Sequence, residues 1–252
     1  MESKGRLACV GVGMMLGAHL GPRARRHIET ADVVFVAASD PLVEQWVMRM
    51  SADARSLQPF YSEGRSRHRS YTDMVEAMLV EVRAGRRVCG AFYGHPGVFA
   101  RVPHQAIAAA RAEGFPAVME PGISAADCLY ADLGIDPGEV GCQHYEASQF
   151  MFYRRTIDPS AWLVLWQVGL AGISDTGRFH NTRDERGMLV IRLVRDYPPE
   201  HVVTLYEAAT LPGVPPRIDP IRVRDLADAV LHQHTTLAIP PARALEREGT
   251  IW

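Results

Sequence analysis

Short apolar runs alternate with amphipathic stretches along the first half of the chain. Leu7–Gly13 (LACVGVG) has the pattern of a buried strand ending in glycines, Ala24–Ala31 that of a helix, and Asp32–Ala37 (DVVFVA) that of a second strand. This β-α-β order builds parallel sheets with helical crossovers. Pro41–Met50 places Leu42, Val43, Trp46 and Val47 on one apolar helical face. Tyr71–Ala84 keeps the same spacing through Met74, Val75, Met78, Leu79 and Val82, and Gly85 is its expected stop. Val88–Phe92 predicts a strand, Gln105–Ala112 a helix and Ala117–Glu120 a strand. Pro121-Gly122-Ile123-Ser124 then leads into a helix from Ala125.

The second half repeats this grammar more loosely. Trp162–Val168, Val202–Ala208 and Thr235–Ile239 predict strands, and Gly187–Tyr197 and Arg224–Leu231 predict helices. A boundary falls near Pro121–Ala125, giving an α/β protein of two lobes, residues 1–122 and 123–252. A cleft between two such lobes is a common small-molecule site.

Composition narrows the picture by exclusion. A formal net charge of −2 over 252 residues gives no global attraction to nucleic acid or anionic membranes. Cys9, Cys89, Cys128 and Cys142 are widely spread, without the paired spacing of a zinc site, and three lie in apolar or small-residue settings that suit buried thiols. No signal-peptide core follows Leu7 and no stretch reaches membrane-spanning length, so a soluble cytoplasmic protein is expected.

The most informative segment is Phe92-Tyr93-Gly94-His95-Pro96-Gly97-Val98-Phe99, a glycine-rich loop between a predicted strand and helix. Open α/β sheets bind ligands at such strand carboxyl ends, although an ordinary strand–turn–helix connection has the same composition. Gly11–Gly17 does not have the dinucleotide spacing, and no acidic residue ends the second strand, which argues against NAD. Arg65, Arg67, His68 and Arg69 crowd a polar stretch flanked by Tyr61 and Tyr71. A solvated loop is the plainer account. The other is a tyrosinate base favoured by a fixed cation, because Arg67 and Tyr71 share a face if the helix begins early. His95 suits a ligand contact or a structural role equally well. His104, His144, His180, His201, His232 and His234 show no metal spacing with nearby carboxylates, and His232-Gln233-His234 suits a strand or turn. Gly122-Ile123-Ser124 lacks the closing glycine of a nucleophile elbow, so Ser124 is better placed as a helix N-cap with Asp127 in the first turn.

These segments together carry a resemblance. VGVG followed by ADVVF, the YGHPGVF loop and PGISA resemble the tetrapyrrole methylase superfamily. Within it the chain is most similar to the borosin peptide α-N-methyltransferases of the omphalotin type. The similarity runs in one order through Tyr61–Tyr71 with its Gly64-Arg65-Ser66-Arg67 core, FYGHPGVF, PGISAADCLYADLGIDP, CQHYEAS, LVLWQVG and TTLAIPPAR. It implies a two-domain tetrapyrrole-methylase-like fold with S-adenosylmethionine in the cleft between the lobes. It also implies methylation of backbone amides in a ribosomal precursor peptide.

By the same resemblance Arg67, Tyr71 and Tyr93 match the catalytic arginine and tyrosines, and Tyr61 matches a further active-site tyrosine. Tyr93, His95, Val98, Phe99, Ser124, Ala125 and Gln167 match cofactor-lining positions, with Leu211, Thr235 and Thr236 on the second-domain side. A tyrosine of the fungal pattern is Gln58 here, and the glycines after Val10 depart from the proline-rich tetrapyrrole pattern towards the borosin branch. The chain ends at Trp252 with no core peptide, which resembles the split arrangement, in which the precursor is supplied in trans. A homodimer, and a heterotetramer with two precursors, are the expected assemblies. Methylation of a tetrapyrrole or other small molecule, and a non-catalytic precursor-binding homologue, are the alternatives.

Overall fold

A computed structural model describes residues 5–61, 66–173 and 178–249. Gly64, Arg65 and Trp252, which entered the sequence argument, lie outside the described residues. The chain divides into two compact units. The first holds residues 1–128 and 208–215; the second holds 129–207 and 216–252. The division expected between 122 and 123 thus falls between Cys128 and Leu129, and Ala208–Pro215 returns to the first unit.

The first unit is built on five parallel strands, β1 (Arg6–Gly11), β2 (Val33–Ala37), β3 (Ala54–Ser56), β4 (Arg87–Phe92) and β5 (Ala117–Glu120), in the order β3-β2-β4-β1-β5. Helices α1 (Pro22–Thr30), α2 (Pro41–Met48), α3 (Arg67–Arg83) and α4 (Arg101–Ala112) alternate with them. Successive strand side chains point to opposite faces, and β1 shows the consequence. Leu7 and Cys9 enter a core with Met74, Met78 and Val82 of α3 and Ala106 and Ala110 of α4. Ala8 and Val10 enter a second core with Ala24 and Ile28 of α1 and Val43 and Val47 of α2. Both sheet faces are covered, which is why these strands read as continuous apolar runs. Leu42, expected on the buried face of α2, is 53% exposed.

The second unit follows α5 (Ala125–Leu133), the helix in which the chain passes from one unit to the next. It contains α6 (Pro137–Val140), β6 (Cys142–Glu146), α7 (Ala147–Phe152), β7 (Trp162–Trp166), α8 (Arg183–Leu193), β8 (Val202–Glu207), β9 (Arg217–Arg222) and β10 (Thr236–Ile239). Its sheet runs β6-β7-β10-β8-β9, parallel only between β6 and β7. Leu163, Leu165, Leu205, Leu237 and Ile239 pack there with Leu189 and Leu193 of α8. The helix expected over Gly187–Tyr197 begins instead at Arg183, where Thr182 and Glu185 form a reciprocal capping box. The helix expected over Arg224–Leu231 is a 3₁₀ stretch, Val223–Asp228, that buries Val223 and Leu226. Their spacing of three fits the 3₁₀ period.

Cys9 and Cys89 are buried, and desolvation pushes the Cys9 thiol up to about 12. Cys128 and Cys142 are only half-buried. No helix among the described residues is long and apolar enough to cross a membrane.

Candidate active site

Strands β1 and β4 are neighbours, yet their outgoing connections reach helices on opposite faces of the sheet, α1 for β1 and α4 for β4. A topological switch point of this kind opens a ligand crevice beyond the strand carboxyl ends. The glycine-rich segments seen in the sequence meet there. Val12 donates its N–H to the Phe92 carbonyl at 2.9 Å, and Gly13 and Gly94 exchange backbone hydrogen bonds of 3.2 and 2.9 Å. Gly94 takes φ +62, a left-handed conformation that costs glycine little. A Cβ on Gly11 would lie 2.4 Å from the Gly94 oxygen and 2.7 Å from the Gly122 Cα. Three strand ends, of β1, β4 and β5, are therefore in backbone contact.

Exposed apolar side chains rim this end of the sheet: Tyr93, Val98, Phe99 and Ile123 are 39–50% exposed. Phe99 has φ +49, an outlier for a bulky side chain. Strain of this sort persists where surrounding structure over-determines it and gathers at functional sites. The His95 Nδ1 accepts the Gly97 N–H at 2.8 Å, which places the proton of the neutral ring on Nε2. Ser124 is buried before α5; its Oγ donates to Asp127 Oδ2 at 2.6 Å and accepts the Asp127 N–H at 3.3 Å. Its own N–H donates to the same carboxylate at 2.7 Å, completing a reciprocal cap that begins the helix at Ala125. Ser124→Ala should lower stability by about 0.5–2 kcal/mol, read as a fall in the midpoint of thermal unfolding.

Beside the same strand ends lie the tyrosines. The α3 helix does begin early, at Arg67, because the Ser66 side chain accepts the Arg69 N–H at 3.3 Å. Arg67 and Tyr71 are thus one turn apart on a formed helix. The Tyr61 and Tyr71 rings meet edge to face, with centroids 6.3 Å apart and planes at 87°. Burial first, then Tyr71 and Tyr93 nearby, raise the Tyr61 phenol above its ordinary value, with the Arg67 cation opposing them. Tyr93 is raised too, chiefly by desolvation of its hydroxyl and then by Tyr71, although nearly half of the residue is open to solvent. The four residues thus form one electrostatically coupled group, in which two of the phenols are held protonated. Gln58, standing where a tyrosine was expected, donates through Nε2 to the Ala38 carbonyl just past β2, at 3.0 Å.

Leu211, expected on the second-domain side, belongs to the first unit, where the neighbouring Thr210 carbonyl accepts the Leu16 N–H at 2.9 Å. Gln167, Thr235 and Thr236 belong to the second unit and lie close together there. Gln167 is left-handed at φ +59, and the next amide, Val168 N–H, donates to the Thr235 carbonyl at 2.9 Å. Buried Asn181 holds this loop by donating to the Val168 and Ala171 carbonyls at 2.7 and 3.1 Å.

One grouping escaped the sequence argument. Glu207 lies among His232, His234, Arg217 and Thr235, so these histidines do have a carboxylate partner, contrary to expectation. Burial pushes Glu207 up, but hydrogen bonds from Thr235, His232 and Arg217 outweigh it and hold the carboxyl at about 2.

Residues 6–214 match the family described as Tetrapyrrole (Corrin/Porphyrin) Methylases. The chain is 41% identical over 244 residues to a Coprinopsis marcescibilis protein named methyltransferase/ribosomally synthesized type I borosin cyclic peptide precursor, covering 94% of this chain and 62% of that one. It is 40% identical over 241 residues to the methyltransferase/ribosomally synthesized cyclic peptide omphalotin A precursor of Omphalotus olearius, covering 94% and 58%. The chain thus spans about three fifths of the length of these relatives. Among solved structures, the uroporphyrin-III-C-methyltransferase of Thermus thermophilus shares the fold, with TM-score 0.68, 23% identity and coverage of 95% and 93%.

Proposed function

This chain belongs to the tetrapyrrole (corrin/porphyrin) methylases, and we propose that it is a borosin-type enzyme that α-N-methylates backbone amides of a ribosomal precursor peptide. S-adenosylmethionine as donor, a precursor supplied as a separate chain, a homodimer able to take two precursors, and a cytoplasmic setting are parts of the same proposal. The observation that carries it is the coupled group of Tyr61, Tyr71, Tyr93 and Arg67. Methylating an amide nitrogen calls for a base and for donors to the developing oxyanion, roles that phenols beside a guanidinium can fill.

The residues fit the cofactor. Gly11, Gly94 and Gly122 let the ends of β1, β4 and β5 close backbone against backbone, beside an apolar rim suited to a ring system and a thioether chain. We assign Tyr93, His95, Val98, Phe99, Ser124, Ala125 and Leu211 of the first unit as cofactor positions, and Gln167, Thr235 and Thr236 of the second to the same role. When bound, S-adenosylmethionine supplies an electrophilic methyl group.

The remaining work belongs to the protein. An amide nitrogen is a poor nucleophile because its lone pair is delocalised into the carbonyl. Tyr71, one turn from Arg67 on α3, takes the amide proton. Tyr61 and Tyr93, held as phenols by burial, donate to the amide oxygen as negative charge builds there. Alignment of the peptide supplies the remainder.

The test is co-expression with a candidate precursor followed by mass spectrometry. Increments of whole methyl groups, mapped by fragmentation to backbone nitrogens, are expected. An unmodified peptide that co-purifies would favour an escort role instead. Methyl transfer to a tetrapyrrole, with neither binding nor modification of the peptide, would replace the substrate class.

A further inference from the structure

We infer that Glu207, His232 and His234 form a binding site for a zinc-type divalent metal ion in the second unit. This goes beyond the methyl-transfer reading, and its three ligands are not among the residues assigned to that reading. His232 and His234 flank one residue in the turn that leads into β10, and their rings stack with centroids 5.8 Å apart and planes at 20°. Both aim a ring nitrogen at Glu207, the last residue of β8. His232 Nδ1 lies 3.1 Å from Glu207 Oε2, and His234 Nε2 lies 3.2 Å from the same oxygen. One ligand atom from each of the three residues lies within 4.8 Å of the other two.

Those separations fit metal coordination. Ligand atoms held tetrahedrally at about 2.0–2.1 Å from zinc lie about 3.3–3.4 Å apart. Two imidazoles and a carboxylate select zinc and its transition-metal neighbours over magnesium or calcium, and leave a fourth position open. The supporting shell is in place as well. Glu207 Oε1 accepts from Thr235 Oγ1 at 2.5 Å and from Arg217 Nη1 at 2.9 Å, which orients the carboxylate; Oε1 also lies 2.9 Å from His232 Nδ1, while Oε2 faces both rings. The Glu207 side chain is 12% exposed, whereas those of His232 and His234 are 55% and 68% exposed, so an ion has a path in from solvent. A bound ion would pin the turn carrying Thr235, whose carbonyl holds the Val168 amide.

The experiment uses the full chain without a polyhistidine tag, stripped with chelator and dialysed. Cobalt(II) is titrated as the spectroscopic probe, and zinc is measured by its displacement of cobalt. One equivalent with the visible bands of low-coordinate cobalt is expected, together with a zinc-dependent rise in Tm. His234→Asn, at an exposed position, should fold normally and lose affinity by more than the roughly 10–100-fold that follows removal of an outer-shell partner. Glu207→Gln should lose it likewise. Absence of the cobalt bands in the native chain would overturn the assignment, as would binding that His234→Asn leaves within 10-fold of native affinity.

Discussion

Replacing Tyr71 by Phe should lower the rate of peptide methylation by about 10²–10⁴-fold, the usual contribution of a positioned general base, while cofactor affinity and Tm stay near their native values. The substitution removes one oxygen and keeps the ring, which is half-buried against the α3–α4 core and meets Tyr61 edge-on. Loss of both activity and cofactor binding would assign Tyr71 a structural role and overturn the base assignment. Tyr61→Phe and Tyr93→Phe should cost less, because each removes a donor to the amide oxygen and leaves the other in place.

The pH profile gives a second readout of the same group. A tyrosine ordinarily ionises near pH 10, and burial raises both Tyr61 and Tyr93 above that value. The two donors therefore stay protonated through the moderately alkaline range. Single-turnover methylation should show no falling limb centred near the ordinary tyrosine value. A decline there, retained in Tyr71→Phe, would mean that Tyr61 or Tyr93 titrates normally and that the enclosure of their hydroxyls is overstated.

Physical causes divide what the sequence revealed from what it hid. The first sheet was legible because both its faces are buried, so β1, β2 and β4 are apolar runs bounded by glycine and charge. The short edge strand β3 carries Ala-Arg-Ser, too few residues to show alternation. Strand β9 has Asp219 and Pro220 at exposed edge positions, a composition that argues against a strand unless it lies at an edge. The polar, half-buried β6 has neither face committed to the core. At the site, the glycines and tyrosines were visible as residue types, and the early start of α3 was open until Ser66 was seen to cap it. The left-handed conformations of Phe99 and Gln167 had no signal, since neither residue favours positive φ. The Glu207 cluster was hidden for a different reason. Its carboxylate lies 25 residues before His232, and only the antiparallel pairing of β8 with β10 brings them together.

The same change, Gly to Ala, should have opposite signs at two positions, and the contrast tests the strand-end contact directly. Gly187 lies inside α8, and a Cβ added there would meet nothing within 4 Å. Alanine at this position should stabilise by up to about 1 kcal/mol, because it removes the backbone freedom of a helical glycine. At Gly122 the added Cβ would sit 2.3 Å from the Gly94 oxygen and 2.8 Å from the Gly11 Cα. Every one of those atoms is backbone, so no side chain can rotate away. Relief requires the ends of β1, β4 and β5 to move apart, against the parallel ladders that join them. Overpacking of this kind costs about 1–3 kcal/mol and occasionally more, and here the displaced backbone is the proposed cofactor cradle. Gly122→Ala should therefore lower Tm and weaken S-adenosylmethionine binding together, whereas Gly187→Ala should raise Tm and leave binding alone. Unchanged stability and affinity in Gly122→Ala would show that the three strand ends do not need their close approach, and would remove the cradle from the argument for the cofactor.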